Sequence, residues 1–578
     1  MEAEAHDAAP DSPARRLLLK QEKLVGWQIA GERAGFVLKA LTVAAGLAAA
    51  AALSAIVWQA SQEQGLVIDA FSVPPALAAD GLTGQVVATR LLDRLQAMQQ
   101  ATGSERRPDT FQNDWSGSIS VEVPGTGVSL EEVERLLRRR LGHASHLTGE
   151  VFRTPDGIAL TARLGAETPQ TFTGPQAELD RLVEEAAEAI FRARQPYRYA
   201  QFLAQHGRKD EAFEAISRLA REGPLSERAW ANGLWAFFEL DLRGDAQAAD
   251  RRFAVARRLS HISGYGYAQN VTIWLGHIER ELAYSREEGR LLRDPVTRSQ
   301  VTPDFIANQE LALPAQEAFF VGDYLAAAAG FLQAEQTGDF LGSRTAFPAW
   351  RATALALAHD PGAAELALGD LEPHDDASLL PAAVAYAAYA LPNYFVAVER
   401  GRWDLALADA RACDAALSAA VASHPVMALP LATWVRPLEA LALARTGDLA
   451  GAKALAVTTP LDCYLCVRVR GTVAALSGDA AGSDHWFEEA ARQAPSIPLA
   501  HQDWAEARLA RGDLAGALLA AREAERRSPR FADPIKLQGD VLMRQARRAE
   551  ALGRYDQALK LAPRWAALRQ ARATAARP

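Results

Sequence analysis

Cysteine is scarce in this chain of 578 residues: Cys413, Cys463 and Cys466 are the only three. That scarcity excludes a disulfide-knit small scaffold, and one Cys-x-x-Cys pair cannot complete a four-ligand zinc site. No Gly-x-Ser-x-Gly elbow, phosphate-binding glycine loop or His-Glu-x-x-His helix occurs. The nucleophile, phosphate cradle and zinc-protease chemistries that need those spacings therefore have no starting point, and no enzyme activity is expected. His143 and His146 have a metal-compatible spacing but no third ligand nearby, so no metal and no cofactor are expected. Long basic runs with interleaved aromatics are also missing, and the net charge is -9, which argues against a nucleic-acid partner. The densest basic run, Arg138-Arg139-Arg140, reads as the solvated end of a helix, where the helix dipole favours positive charge. What the chain does have is 49% hydrophobic and 23% charged residues, enough to build a large core.

Long apolar runs are rare too, and one stands out. Residues 40–58 carry no charge, and nineteen residues of helix span about 30 Å, enough for a bilayer core. Arg15, Arg16, Lys20, Lys23, Arg33 and Lys39 precede the run, whereas no Lys or Arg follows until Arg90. The positive-inside rule then predicts a single-pass inner-membrane signal anchor over 39–60. Its cytoplasmic tail, 1–38, contains an amphipathic juxtamembrane helix, and the bulk of the chain lies in the periplasm. Gly46, Ala50 and Ser54 form a small-residue face that would allow a homo-oligomer.

Residues 65–192 read as an α+β domain. Leu66–Val73 alternates like a strand, 81–100 has helical periodicity, and Ile119–Val123 reads as a second strand. Ser129-Leu130-Glu131-Glu132 opens a helix with a capping box. Three strands, Leu147–Arg153, Ile158–Leu164 and Thr171–Thr173, follow as a meander, and 175–194 is helical again.

Three consecutive blocks of 34 residues, 464–497, 498–531 and 532–565, share one pattern of small residues. Its six offsets hold Gly471, Gly478, Ser483, Phe487, Ala490 and Pro495 in the first block. The second holds Ala505, Gly512, Ala517, Ala521, Ala524 and Pro529, and the third Gly539, Ala546, Ala551, Tyr555, Ala558 and Pro563. The glycine ends a first helix in the left-handed conformation, and the small residue five positions on lets a second helix approach. The proline stops that second helix. The same glycine-to-small spacing recurs at Gly207/Ala212, Gly244/Ala249, Gly322/Ala327, Gly401/Ala406 and Gly447/Ala452, with His359/Ala364 as a copy lacking the glycine. The stretch 263–294 reads as a divergent helical pair. Helical pairs of this period stack into a solenoid, here over 193–565, with 566–578 as a cap or tail.

The pattern resembles the tetratricopeptide-repeat superfamily, and the whole chain resembles bacterial membrane-anchored members of it. The resemblance implies a mainly α fold: a solenoid preceded by a small α+β domain and one amino-terminal transmembrane helix. It further implies a scaffold or adaptor whose concave face holds a protein or peptide partner. The family's concave positions fall here on Leu465, Arg468, Thr472 and Ala475, then Leu499, Gln502, Glu506 and Leu509, then Asp533, Lys536, Asp540 and Met543. Of these, Arg468, Gln502, Glu506, Lys536, Asp540 and Met543 are the expected groove, suited to a polar or carboxylate-bearing peptide. Cys463 and Cys466 are a candidate disulfide at a helix start, with Asp462 as the expected N-cap. A thiol-redox protein using that pair, or a ligand-sensing subunit signalling through the anchor, are the alternative functions.

Overall fold

The computed structural model describes residues 65–113, 145–259, 262–337, 343–369 and 382–577, together with Leu17 and Lys20. The expected membrane span 40–58, the strand at 119–123, the helix from Ser129, His143 and the Arg138–Arg140 run lie outside the described residues.

The described residues fall into two compact units, one within residues up to 96 with 109–188, the other within 97–108 with 189–578. The first is built on a five-stranded sheet of order β2-β1-β3-β4-β5, with β1 (Leu66–Ile68), β2 (Phe111–Asn113), β3 (Ser145–Thr154), β4 (Gly157–Leu164) and β5 (Gln170–Gly174). β1 runs parallel to β2 and β3, and the last three strands form the antiparallel meander. Leu66 and Ile68 on β1, Leu147 and Val151 on β3, and Ile158 and Leu160 on β4 are buried. Leu91, Leu95, Leu182 and Val183 from the helical segments of the same unit are buried too, and the exposed pair Arg90–Asp180 joins those segments. β1 is shorter than its alternating run, but the rest of the run stays bonded to β3, with Asp69 N donating to the Leu147 carbonyl at 2.9 Å and Ser72 N to the Gly149 carbonyl at 2.8 Å, before Pro74 and the short helix Pro75–Ala79. β2 was not legible in the sequence, since Phe-Gln-Asn over three residues has no period to read.

The second unit is a tetratricopeptide-type solenoid, as the repeat pattern implied. Ten helical pairs run from Pro196 to Leu561 among the described residues. Each pair turns through one left-handed residue: Gly207, Gly244, Gly276, Gly322, His359, Gly401, Gly447, Gly478, Gly512 or Ala546. Five positions after the turn, Ala or Ser is fully buried in nine of the pairs. In the strongest blocks the fit between the two helices is reciprocal. A Cβ added to Gly471 would lie 2.8 Å from the Phe487 ring, and Gly539 faces Tyr555 in the same way, while Ala505 and Ala521 share the load where neither partner is large. Asp448, Asp479 and Asp513 cap second helices by accepting from the backbone N–H three residues on, at 2.8–2.9 Å. A final helix, Ala566–Ala576, buries Leu568 and Ala575 against the last pair.

In an open solenoid each repeat touches only its neighbours. Here the chain returns to itself. Polar contacts join residues 159 to 217 positions apart, always between the turn region of an earlier pair and the start of a later one. His424 meets Asp241 at 3.1 Å, Trp434 Nε1 donates to the Ile273 carbonyl at 2.8 Å, and Tyr464 N donates to the Gly276 carbonyl at 3.1 Å. Ser496 holds the Glu279 carboxylate with its N–H and hydroxyl, Arg530 pairs with Asp323, and Arg564 with Asp360 at 2.8 Å. The turn glycines make this seam fit: a Cβ on Gly276 would lie 2.8 Å from Cys463 Sγ, and one on Gly322 would lie 2.7 Å from the Phe531 ring. One superhelical turn is thus stitched to the next.

The helix Pro425–Thr446 is long and apolar enough to cross a membrane by length and composition, but 56% of its most apolar window is buried inside the protein. Its apolar residues Val426, Met427, Leu431 and Val435 pack in a cluster with Leu240, Phe253 and Val271 from the preceding turn. Pro437 has no N–H for the Thr433 carbonyl, and a π-helical turn, Leu431–Val435, precedes it. In that turn Thr433 Oγ1 donates to the Trp274 carbonyl at 2.5 Å.

Candidate functional site

The first helices of the last three blocks, Tyr464–Leu476, Leu499–Ala510 and Ala532–Arg544, carry the expected groove residues. The structure places a polar ladder there. Arg468 is buried to 16% exposure and pairs with Asp503 at 2.8 Å while lying over the Tyr464 ring. Burial pushes the Asp503 carboxyl up, partly offset by Arg468, whereas Asp503 and Tyr464 outweigh desolvation at the guanidinium and raise it. Gln502 Nε2 donates to Glu506 Oε1 at 2.9 Å. Glu506 is open to solvent on one side, and protein walls the rest. That loss of water, with Asp503 and Asp533 adding like charge, pushes its carboxyl up to about 7. Lys536 pairs with Asp540 at 2.7 Å, Asp540 also accepts from the Tyr555 hydroxyl, and Met543 is half-buried beside them. Most of the charge on these six residues is already matched by neighbouring side chains. Free capacity is concentrated at Glu506.

Toward earlier pairs this region opens into a cavity of about 580 Å³. Leu465, Arg468 and Leu499 form part of its wall, so three expected concave positions line it. Twelve of its lining residues are aromatic, including Trp230, Phe305, Phe319, Trp350, Phe395 and Trp434. Many of these rings hold one another edge to face, such as Phe319 against Trp350 at 4.8 Å between centroids. Sequence reasoning missed the cavity because its lining comes from pairs spread over more than two hundred residues. It is the return of the chain at the seam that brings them together. The same first helices carry Pro314, Pro348 and Pro392 in their interiors, each leaving one carbonyl without its helical donor. A regular repeat reader passes over helices broken this way.

Cys463 and Cys466 are joined as a disulfide, with Cα atoms 5.2 Å apart. Asp462 is not the N-cap expected for this helix. The helix begins one residue later than that reading required, Cys463 is the cap, and its sulfur accepts from Cys466 N at 3.2 Å. Asp462 instead reaches across the seam to His277 at 3.2 Å. Both cysteines are buried, Cys463 against Gly276, which denies a thiol-exchange partner direct approach. Cys413 is a buried free thiol pushed up to about 12 by burial. His146 pairs with Asp69 at 3.2 Å on the sheet. Among the described residues no group of three or more His, Cys, Asp or Glu is placed to hold a metal ion.

No family model matches the chain, and no curated protein does. Solved structures similar to it include a tetratricopeptide repeat protein from Parabacteroides merdae, at 12% identity over 47% of this chain and 99% of that one, with a TM-score of 0.29. The Cut9–Hcn1 hetero-tetramer of the APC/C is similar at 12% identity, over 68% of this chain and 85% of that one, with a TM-score of 0.28. The TPR2AB domain of yeast Sti1 in its complex with pHSP90 is similar at 13% identity, over 47% and 98%, with a TM-score of 0.19. The helical-pair geometry of this chain itself, with its ten left-handed turns and buried small residues, is what defines the fold.

Proposed function

We propose that this tetratricopeptide-type solenoid is a non-enzymatic scaffold that holds a protein or peptide partner on its concave face, tethered to the inner membrane through residues 40–58 with the solenoid in the periplasm. One observation carries the reading. Three successive first helices present Arg468, Gln502, Glu506, Lys536, Asp540 and Met543, half-open and polar, next to an aromatic cavity. A polar segment has hydrogen-bonding partners along that ladder, and an apolar side chain has a place to go at its end. The proteins solved with this repeat type include one named in complex with pHSP90, which fits a peptide-holding role.

Arg468 is a poor residue to reverse, because its loss strands the buried Asp503 beside Glu506. Glu506→Lys and Lys536→Glu test the ladder with less damage. The expected result is loss of the native partner from the purified complex with an unchanged melting temperature. Retention of the partner by both variants would sink the groove. Location is tested separately by protease treatment of cells with a permeabilised outer membrane. Digestion of the solenoid agrees with a periplasmic site, and protection until detergent is added contradicts it.

A further inference from the structure

The pair built on Gly276 breaks the packing rule that the others obey. In its second helix, Ile278–Leu291, the fully buried position five residues after the turn is Glu281, where the nine other pairs have Ala or Ser. The position twelve after the turn is Ala256, Ala334, Ala490, Ala524 or Ala558 in five of the other pairs, and here it is Glu288, 1% exposed. The first helix, Tyr265–Trp274, has Gln269 where the three strong blocks have Gly471, Ala505 and Gly539. An apolar helix-helix contact has thus become a polar one. Thr272 Oγ1 donates to Glu281 at 2.6 Å, and Gln269 Nε2 donates to Glu288 Oε2 at 2.6 Å. Buried carboxyls in slots made for alanine weaken the pair, and such departures from a fold's own rule concentrate at functional sites.

Neither carboxyl has a cation. The arginines of the neighbourhood are engaged elsewhere: Arg106 with Glu227 and near the Tyr197 and Trp230 rings, Arg198 with the carbonyls of Gln99, Thr102 and Arg106, Arg280 with Asp250, Arg298 with Glu310, and Arg257 over the Tyr284 ring. No donor among the described residues reaches Glu288 Oε1. Gln269 and Glu288 line the aromatic cavity, and so does Glu105, whose carboxylate accepts from Tyr197 and Gln201 and has no cation either. The charged groups acting on Glu288 are Glu281 and Glu105, both of like sign. The cavity therefore combines carboxyls that have no cationic partner with an aromatic lining that includes Phe305 and Phe319.

We propose that the cavity binds a lipophilic organic cation, with its ammonium head at Glu288 and Glu105 and its apolar body along the aromatic wall. Aromatic faces and a desolvated carboxylate are the two groups that recognise an alkylammonium, and few other ligands use both. A fatty acid would add a third acidic group beside Glu288 and Glu105, and a neutral lipid can exchange hydrogen bonds with them but brings no positive charge. Burial, with Glu281 and Glu105 adding like charge, pushes the empty Glu288 carboxyl up to about 8, so it carries a proton at neutral pH. A cation must displace that proton, which passes to the buffer.

The test uses the full chain in lipid nanodiscs with three probes of equal chain length: octyltrimethylammonium, 1-octanol and octanoate. Calorimetry in two buffers of different ionisation enthalpy counts the protons released. The expected result is that the ammonium binds at least tenfold more tightly than the alcohol or the acid, releasing close to one proton at pH 7. Glu288→Gln should lower ammonium affinity about tenfold, abolish proton release and leave octanol binding unchanged. Tightest binding of octanol or octanoate, ammonium binding without proton release, or unchanged ammonium affinity in Glu288→Gln each overturns the proposal. If that variant does not fold, the wild-type probe order and proton count decide alone.

Discussion

His359 offers the sharpest test of the seam. It occupies a left-handed turn, with φ of 62°, where eight of the other nine turns of this solenoid use glycine and non-glycine residues are strained. Its ring accepts that position between two carboxylates, Glu399 at 2.7 Å and Asp533 at 3.4 Å, and stacks on Trp565 at 3.4 Å between centroids. Burial alone would lower its pKa. Asp533 and Glu399 outweigh that burial and raise it from 6.5 to about 9. A raised folded pKa means that the stabilisation is complete below the unfolded value of 6.5 and is lost as pH rises through about 9. At 1.36 kcal/mol per unit, the protonated histidine contributes about 3 kcal/mol to the seam below pH 6.5. Replacing it with glycine removes that contribution and relieves about 1–2 kcal/mol of backbone strain, part of which the freer unfolded chain takes back. His359→Gly should therefore be about 2 kcal/mol less stable than the parent at pH 6, and within about 1 kcal/mol of it at pH 10. Hydrogen exchange read in helices Ala532–Arg544 and Arg548–Leu561 localises the effect to the seam. A stability difference that stays constant from pH 6 to pH 10 would refute the reasoning.

Other substitutions separate backbone strain from seam contact. Gly447→Ala meets only the left-handed penalty, since no atom lies within 4 Å of the new Cβ, and should lower stability by about 1–2 kcal/mol in thermal melts. Gly276→Ala adds a clash with Cys463 and should cost clearly more; equal costs would mean that the seam yields freely. Ala517→Leu forces a large side chain into a fully buried helix crossing and should destabilise by about 1–3 kcal/mol, whereas Leu519→Ala, on the exposed side of the same helix, should change little. The buried Cys463–Cys466 bond should resist reductant in the folded protein and react once denaturant is added, as followed by thiol alkylation. Fast reduction without unfolding would show that the seam opens readily.

The repeat architecture was legible because its determinants are local. Gly478 and Gly512 fix turns, Ala517 and Ala551 fix crossings, and each acts within one block of 34 residues. The Gly276 pair was legible only as a divergent helical pair, because Glu281 and Glu288 stand where the reader looks for small residues. The cavity and the seam were not legible at all. Trp434 and Ile273 meet across 161 residues, and nothing in the spacing of either says that a superhelical turn will close on the one before it. The pairing of the expected groove residues, Arg468 with Asp503 and Lys536 with Asp540, was not legible either, because it depends on which neighbours the folded helices supply.

The most direct test of the scaffold reading is site-specific photocrosslinking in living cells. A photoreactive phenylalanine analogue replaces Glu506 on the concave face or, in a parallel strain, Leu519, which is 69% exposed on a second helix. The account predicts a discrete adduct with one protein partner from position 506 and none from position 519. Adducts from 519 alone, or the same adducts from both, would contradict a concave-face scaffold.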